Sequence, residues 1–113
     1  MIGPGGPVDR SPEMVELMFD SIRRSADSSA VRPGTTIEWA FTDNDPWHLV
    51  IDNGSTRAVA GAAPHADLTL RVTLEDWVDI VAERADPRRL LLSRRLKPRG
   101  DLRLLLKLGR IFN

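Results

Sequence analysis

The stretch from Asp67 to Phe112 leaves few folds open, because its apolar period changes several times within a short span. Leu68, Leu70 and Val72 alternate with Asp67, Thr69, Arg71 and Thr73, which predicts a strand with one buried face. Thr73 stops the alternation and can cap a helix, and Asp76 stands where a capping-box carboxylate belongs. Leu74, Trp77, Val78 and Val81 then recur at helical spacing, an apolar stripe. Asp86-Pro87 starts a second helix, with Asp at the cap and Pro at the first position. Leu90, Leu91 and Leu92 follow on it. Leu96 to Gly100 reads as extended, and Asp101 caps a last helix rich in leucine. A proline cannot donate to a ladder, so Pro98 puts that final strand at a sheet edge.

Upstream, Ser11-Pro12-Glu13 is a helix start, and the helix should run to about Ser25 with Val15, Met18, Phe19 and Ile22 on its buried side. Ser25 to Gly34 is a polar connector. Thr35 to Thr42 is a strand with Ile37, Trp39 and Phe41 on one face and Thr36, Glu38 and Thr42 on the other. Trp47 to Asp52 is apolar on both faces, the pattern of a central strand. Asn53-Gly54 is a hairpin signal, so Ser55 to Ala60 should pair back. Met1 to Arg10, rich in Gly and Pro, is expected to be a mobile tail ahead of one domain over 11–113.

Composition narrows the function classes. At 42% apolar and 28% charged residues, the chain suits a globular domain with one core. No apolar run reaches the ~18 residues of a membrane span. The first residues lack the basic and apolar regions of a secretory signal, so a cytoplasmic location is the expectation. Without cysteine, disulfide and thiolate chemistry are excluded. The zero net charge is the sum of two opposed parts: −8 over Met1–Glu83 and +8 over Arg84–Asn113. Such a split either offsets itself within the fold or offers a basic surface to an anionic membrane or partner.

Catalytic constellations do not assemble. His48 lies on a strand and His65 in a proline-containing loop, neither at metal-ligand spacing. Asp43, Asp45 and Asp52 flank turns, where Asp bonds locally. Ser55 follows Gly54 without a Gly-x-Ser-x-Gly elbow, and Gly3 to Gly6 lacks the Lys and helix of a phosphate loop. No catalytic residue, metal or cofactor is expected, and the chain reads as not an enzyme. Nucleic acid is disfavoured as well, since the basic C-terminal part contains a single aromatic, Phe112, for base stacking.

The runs Asp67-Leu-Thr-Leu70, Leu74-Glu-Asp-Trp77, Asp86-Pro87, Leu96-Lys-Pro-Arg-Gly-Asp101 and Trp47-His-Leu-Val-Ile-Asp-Asn-Gly54 together resemble the sterol carrier protein 2 family over roughly Glu13 to Phe112. The resemblance implies an α+β fold: a five-stranded, mainly antiparallel sheet with helices on one face and an apolar, lipid-accepting cavity between. It also implies lipid or acyl-chain binding and transfer, and service as an accessory domain inside larger enzymes.

One residue pattern meets that implication halfway. The last helix has Leu102, Leu105 and Leu106 on one side and Leu104, Leu108, Ile111 and Phe112 on the other. One stripe closes a small domain; two ask for a second contact. By composition alone, a filled core, a dimer interface and a ligand cavity are all open. With the resemblance, the expectation is non-catalytic binding or transfer of a fatty acid, acyl-CoA or sterol-like lipid. The lining residues expected are Trp39, Phe41, Leu70, Trp77, Val81, Leu105 and Leu108. Arg95, Lys97 or Arg99 would meet a charged headgroup at the rim, an assignment from charge alone. The alternative is an interaction module whose core is filled and whose surplus stripe docks on a second copy, a partner chain or an enzyme domain.

Overall fold

The computed structural model describes residues 11–112; the expected tail, Met1–Arg10, lies outside the described residues. Helix α1 (Pro12–Ser25) begins as its sequence predicts. The Ser11 hydroxyl accepts from the Met14 N–H, Glu13 stands in the first turn, and Arg23 and Arg24 stand in the last. Val15, Phe19 and Ile22 are buried on one side. The connector that follows is not wholly irregular. Asp27 accepts from the Ser29 N–H at 3.0 Å and caps a 3-10 turn over Ser28–Ala30.

Five strands follow the apolar alternation: β1 (Thr35–Phe41), β2 (Trp47–Asp52), β3 (Ser55–Ala60), β4 (Leu68–Val72) and β5 (Lys97–Gly100). They lie in the order β3-β2-β1-β4-β5. Three pairings are antiparallel, while β1 and β4 run parallel, so the sheet is mixed within a mainly antiparallel frame. The register sets Trp39 beside Trp47 on one side and Leu70 on the other. As expected, β2 is an interior strand, and β5, with Pro98, is an edge.

A parallel pair cannot be closed by a tight turn. The chain therefore leaves β3 at one edge and returns over the sheet to enter β4. Two side chains on the face opposite Trp39 hold this crossover. His48 Nδ1 lies 2.8 Å from the Gly61 carbonyl oxygen, and the Glu38 carboxylate accepts from the Ala63 N–H at 3.0 Å. At its end, Asp67 locks to Thr36 in both directions. The Thr36 N–H donates to the Asp67 carboxylate at 2.8 Å and the Asp67 N–H to the Thr36 carbonyl at 2.9 Å. His48 thus helps to hold the crossover through Nδ1.

Helices α2 (Leu74–Val81), α3 (Pro87–Leu92) and α4 (Leu102–Ile111) are capped by Thr73, Asp86 and Asp101. Asp76 departs from the capping-box expectation. Its N–H donates to the Thr73 hydroxyl, but its carboxylate is taken by Arg95. The helices cover the Trp39 face of the sheet. Phe19, Trp77, Leu90, Leu104 and Ile111 join Ile37, Trp39, Phe41, Leu49, Leu68, Leu70 and Val72 in one core.

Candidate apolar ligand site

Three helices converge on one strand residue. Trp39, fully buried, has the Phe19 ring of α1 edge-on at 5.2 Å and the Trp77 ring of α2 edge-on at 5.2 Å. Phe112, at the end of α4, lies tilted at 6.3 Å. Edge-on packing sets ring hydrogens against π faces and favours fixed rings over sliding stacks. Phe19 in turn stacks flat on Trp47 at 5.0 Å.

The centre of this cluster has a polar defect. Trp39 Nε1 and Trp77 Nε1 are both buried, and among the described residues neither finds a hydrogen-bond acceptor. Buried indole N–H groups normally do find one, and each orphan costs about 1–3 kcal/mol of desolvation. Two orphans sit on rings in mutual contact, inside an otherwise apolar interior.

The residues expected to line a cavity divide into three groups. Trp39, Phe41, Leu70 and Trp77 are buried in one cluster, and Leu105 and Leu108 lie half-buried against it on the inner side of α4. Val81 stands apart, 48% exposed at the end of α2. The stripe Leu102, Leu105, Leu106 is split by the helix twist. Leu105 turns inward, while Leu102 and Leu106 are 55% and 84% exposed. Phe19 and Phe112 were left out of the expected lining, yet their rings touch Trp39. Their places on the apolar stripes of α1 and α4 were the available signal.

The rim assignment needs correction. Arg95 is already committed to Asp76, at 2.6 and 3.1 Å. Lys97 and Arg99 align with Arg71 and Thr69, whereas the intervening Pro98 aligns with Leu70. Successive strand residues point to opposite faces, so Lys97 and Arg99 belong to the face away from the helices and do not front the aromatic cluster. Alternation in the sequence contained this information; net charge did not.

Other polar groups serve the scaffold. Asp20, Asp27, Asp86 and Asp101 all titrate below the ordinary aspartate range. The Arg23 and Arg24 guanidiniums cause this at Asp20 and the Ser29 hydroxyl at Asp27; backbone N–H groups of Arg88 and Arg103 do so at Asp86 and Asp101. No cluster of three His, Cys, Asp or Glu fit to hold a metal occurs among the described residues. No described helix is long and apolar enough to cross a membrane.

A mixed five-stranded sheet, covered on one face by helices that meet at an aromatic centre, defines an α+β domain of the sterol-carrier class. The chain belongs to the SCP-2 sterol transfer family, whose profile matches residues 20–113. It is 31% identical over 104 residues to the peroxisomal multifunctional enzyme type 2 of Mus musculus, covering 84% of this chain and 14% of that enzyme. Its fold is similar to that of sterol carrier protein 2 from Yarrowia lipolytica (TM-score 0.68, 20% identity, 95% of this chain and 97% of that one). It is also similar to part of a stereoselective inverting sec-alkylsulfatase from Pseudomonas sp. (TM-score 0.74, 22% identity), over 88% of this chain and 16% of that one. The chain thus spans a small fraction of the length of each of these two enzymes.

Proposed function

We propose that this domain binds and transfers a hydrophobic ligand (a fatty acid, acyl-CoA or sterol-like lipid) between the sheet and α4, without chemical turnover. The observation that supports this reading is the pair of orphaned indole donors at Trp39 and Trp77. A guest with a long apolar body and an oxygen acceptor supplies what that interior lacks. Trp39, Phe41, Leu70, Trp77, Leu105 and Leu108 would contact it, and Val81 would meet it only from the exposed end of α2. The energetics are adequate, since each buried methylene contributes about 0.8 kcal/mol. A dozen methylenes offset a large part of an association cost of roughly 4–15 kcal/mol.

Displacement of a fluorescent fatty acid, combined with native mass spectrometry of freshly purified protein, tests the proposal. Co-purifying lipid and micromolar displacement are the expected results. A protein that carries no lipid and binds no fatty acid or sterol probe overturns it.

A second reading is favoured by the exposed leucines Leu92 and Leu106, 86% and 84% accessible, and by the small share of larger enzymes that the chain matches. In it the domain docks on a second copy, a partner enzyme or an anionic membrane surface through those side chains and the neighbouring arginines. It predicts a tight dimer or vesicle binding with an empty interior.

A further inference from the structure

On the face away from the helices, β4 and β5 bring two cations together. Arg71 stands directly opposite Lys97 in the antiparallel register, an arrangement that destabilises a sheet unless something neutralises it. Among the described residues, neither takes part in an ion pair. A third cation joins them. Arg94, just past the Ser93 cap of α3, adopts the left-handed region at φ 63°, a conformation that costs a non-glycine residue energy. It too makes no ion pair among the described residues. All three line one cleft of about 390 Å³, together with Arg95 and the start of α2.

The carboxylates of this cleft are mostly engaged. Asp76 is held by Arg95 at 2.6 Å, and Asp43 accepts from the Leu74 N–H at 2.9 Å. The cleft thus gathers four cations, Arg71, Arg94, Arg95 and Lys97, against three carboxylates, Asp43, Glu75 and Asp76, a surplus of one positive charge. The cleft is far larger than a halide requires. Arg71 and Lys97 stand side by side on one face of β4 and β5, and Arg94 joins them from the turn after α3. A planar carboxylate offers two oxygens in one plane, whereas a phosphoryl group offers three in a tripod.

We infer that this cleft binds a phosphoryl group, with Arg71, Arg94 and Lys97 as its ligands and Arg95 fixed alongside by Asp76. The site lies apart from the aromatic cluster and does not depend on the lipid reading. The phosphoryl group belongs either to a soluble phosphate ester or to a lipid headgroup, and the two sources share this chemistry.

The test is a titration of the ¹⁵N-labelled full chain with pyrophosphate at constant ionic strength, chloride being the control. Saturable amide shifts at Arg71, Thr73, Arg94 and Lys97 are expected. Binding should weaken by roughly tenfold or more in Arg71→Met, Lys97→Met and Arg94→Asn, since each deletes one charge-assisted contact. Asn tolerates the left-handed backbone at position 94. The Met variants relieve a like-charge pair, so their melting temperatures should hold or rise. Pyrophosphate should raise the melting temperature of the parent protein but not of Lys97→Met. Arg88→Ala and Arg89→Ala, outside the cleft, should bind as the parent does. Loss of binding to phosphatidic acid vesicles in Lys97→Met assigns the group to a lipid headgroup. Unchanged vesicle binding, with pyrophosphate binding lost, assigns it to a soluble ester. Unsaturable shifts spread over Arg88, Arg89, Arg103 and Arg110, or a Lys97→Met variant that binds pyrophosphate normally, overturn the inference.

Discussion

Asp76 and Arg95, nineteen residues apart, are joined by two hydrogen bonds of 2.6 and 3.1 Å. The pair clamps the first turn of α2 to the segment that leads into β5. It is lopsided, since the Asp76 side chain is 5% accessible and that of Arg95 is 63%. Removing Arg95 strands a buried carboxylate, whereas removing the Asp76 charge merely returns an arginine to water. Arg95→Met should therefore cost about 1–2 kcal/mol, and Asp76→Asn less than about 1 kcal/mol. Urea denaturation measures both, and equal losses would contradict this asymmetry.

The contact between Trp39 and Trp77 separates packing from hydrogen bonding. Trp39→Ala empties the centre of the core and should lose about 3–5 kcal/mol. Trp77→Phe keeps an aromatic ring and deletes one unpaired N–H. Its stability should stay within about 1 kcal/mol of the parent or rise. If a bound ligand accepts from that indole, the same variant should release fatty acid more readily in the displacement assay.

Two glycines should respond in opposite ways. Gly100 adopts φ 107°, and a Cβ there would lie 2.4 Å from the Asp67 carbonyl oxygen. Gly100→Ala should destabilise by at least about 1–3 kcal/mol and disturb the Asp67 amide resonance. Gly109 lies within α4 with open space around its Cβ position. Gly109→Ala should stabilise by roughly 0.5–1 kcal/mol. Thermal melts of the two variants side by side check the contrast.

Acid should loosen the helix starts. Asp27, Asp86 and Asp101 accept cap hydrogen bonds and titrate below the ordinary aspartate value of 3.8. The unfolded chain therefore takes up protons before the folded one does. Their stabilising contribution is complete above the unfolded value, about pH 4, and is lost as pH falls through the lower folded values. Circular dichroism should show helix loss in that window. Asp101→Asn, which still caps but cannot titrate, should blunt the loss in α4.

Much of the fold was legible before any coordinates. The strands, the caps at Ser11, Thr73, Asp86 and Asp101, and the edge position of Pro98 all agree with the structure. Four of the expected lining residues, Trp39, Phe41, Leu70 and Trp77, fall in one buried cluster. The exposed placement of Val81 and Leu106 was not legible. Both residues fit a helical apolar stripe, and only the docking angle of each helix decides which edge of the stripe meets water.

The amino-acid order by itself determined the periods and the caps, because these rest on residues within about four positions of one another. It also determined that the Arg84–Asn113 part would be strongly basic. Only the tertiary structure decided that β1 and β4 run parallel, that Asp76 turns to Arg95 instead of its own helix, and that Arg71 faces Lys97. Those relationships join residues that are remote in the chain. Their geometry follows from strand register and crossover path, which no local pattern encodes.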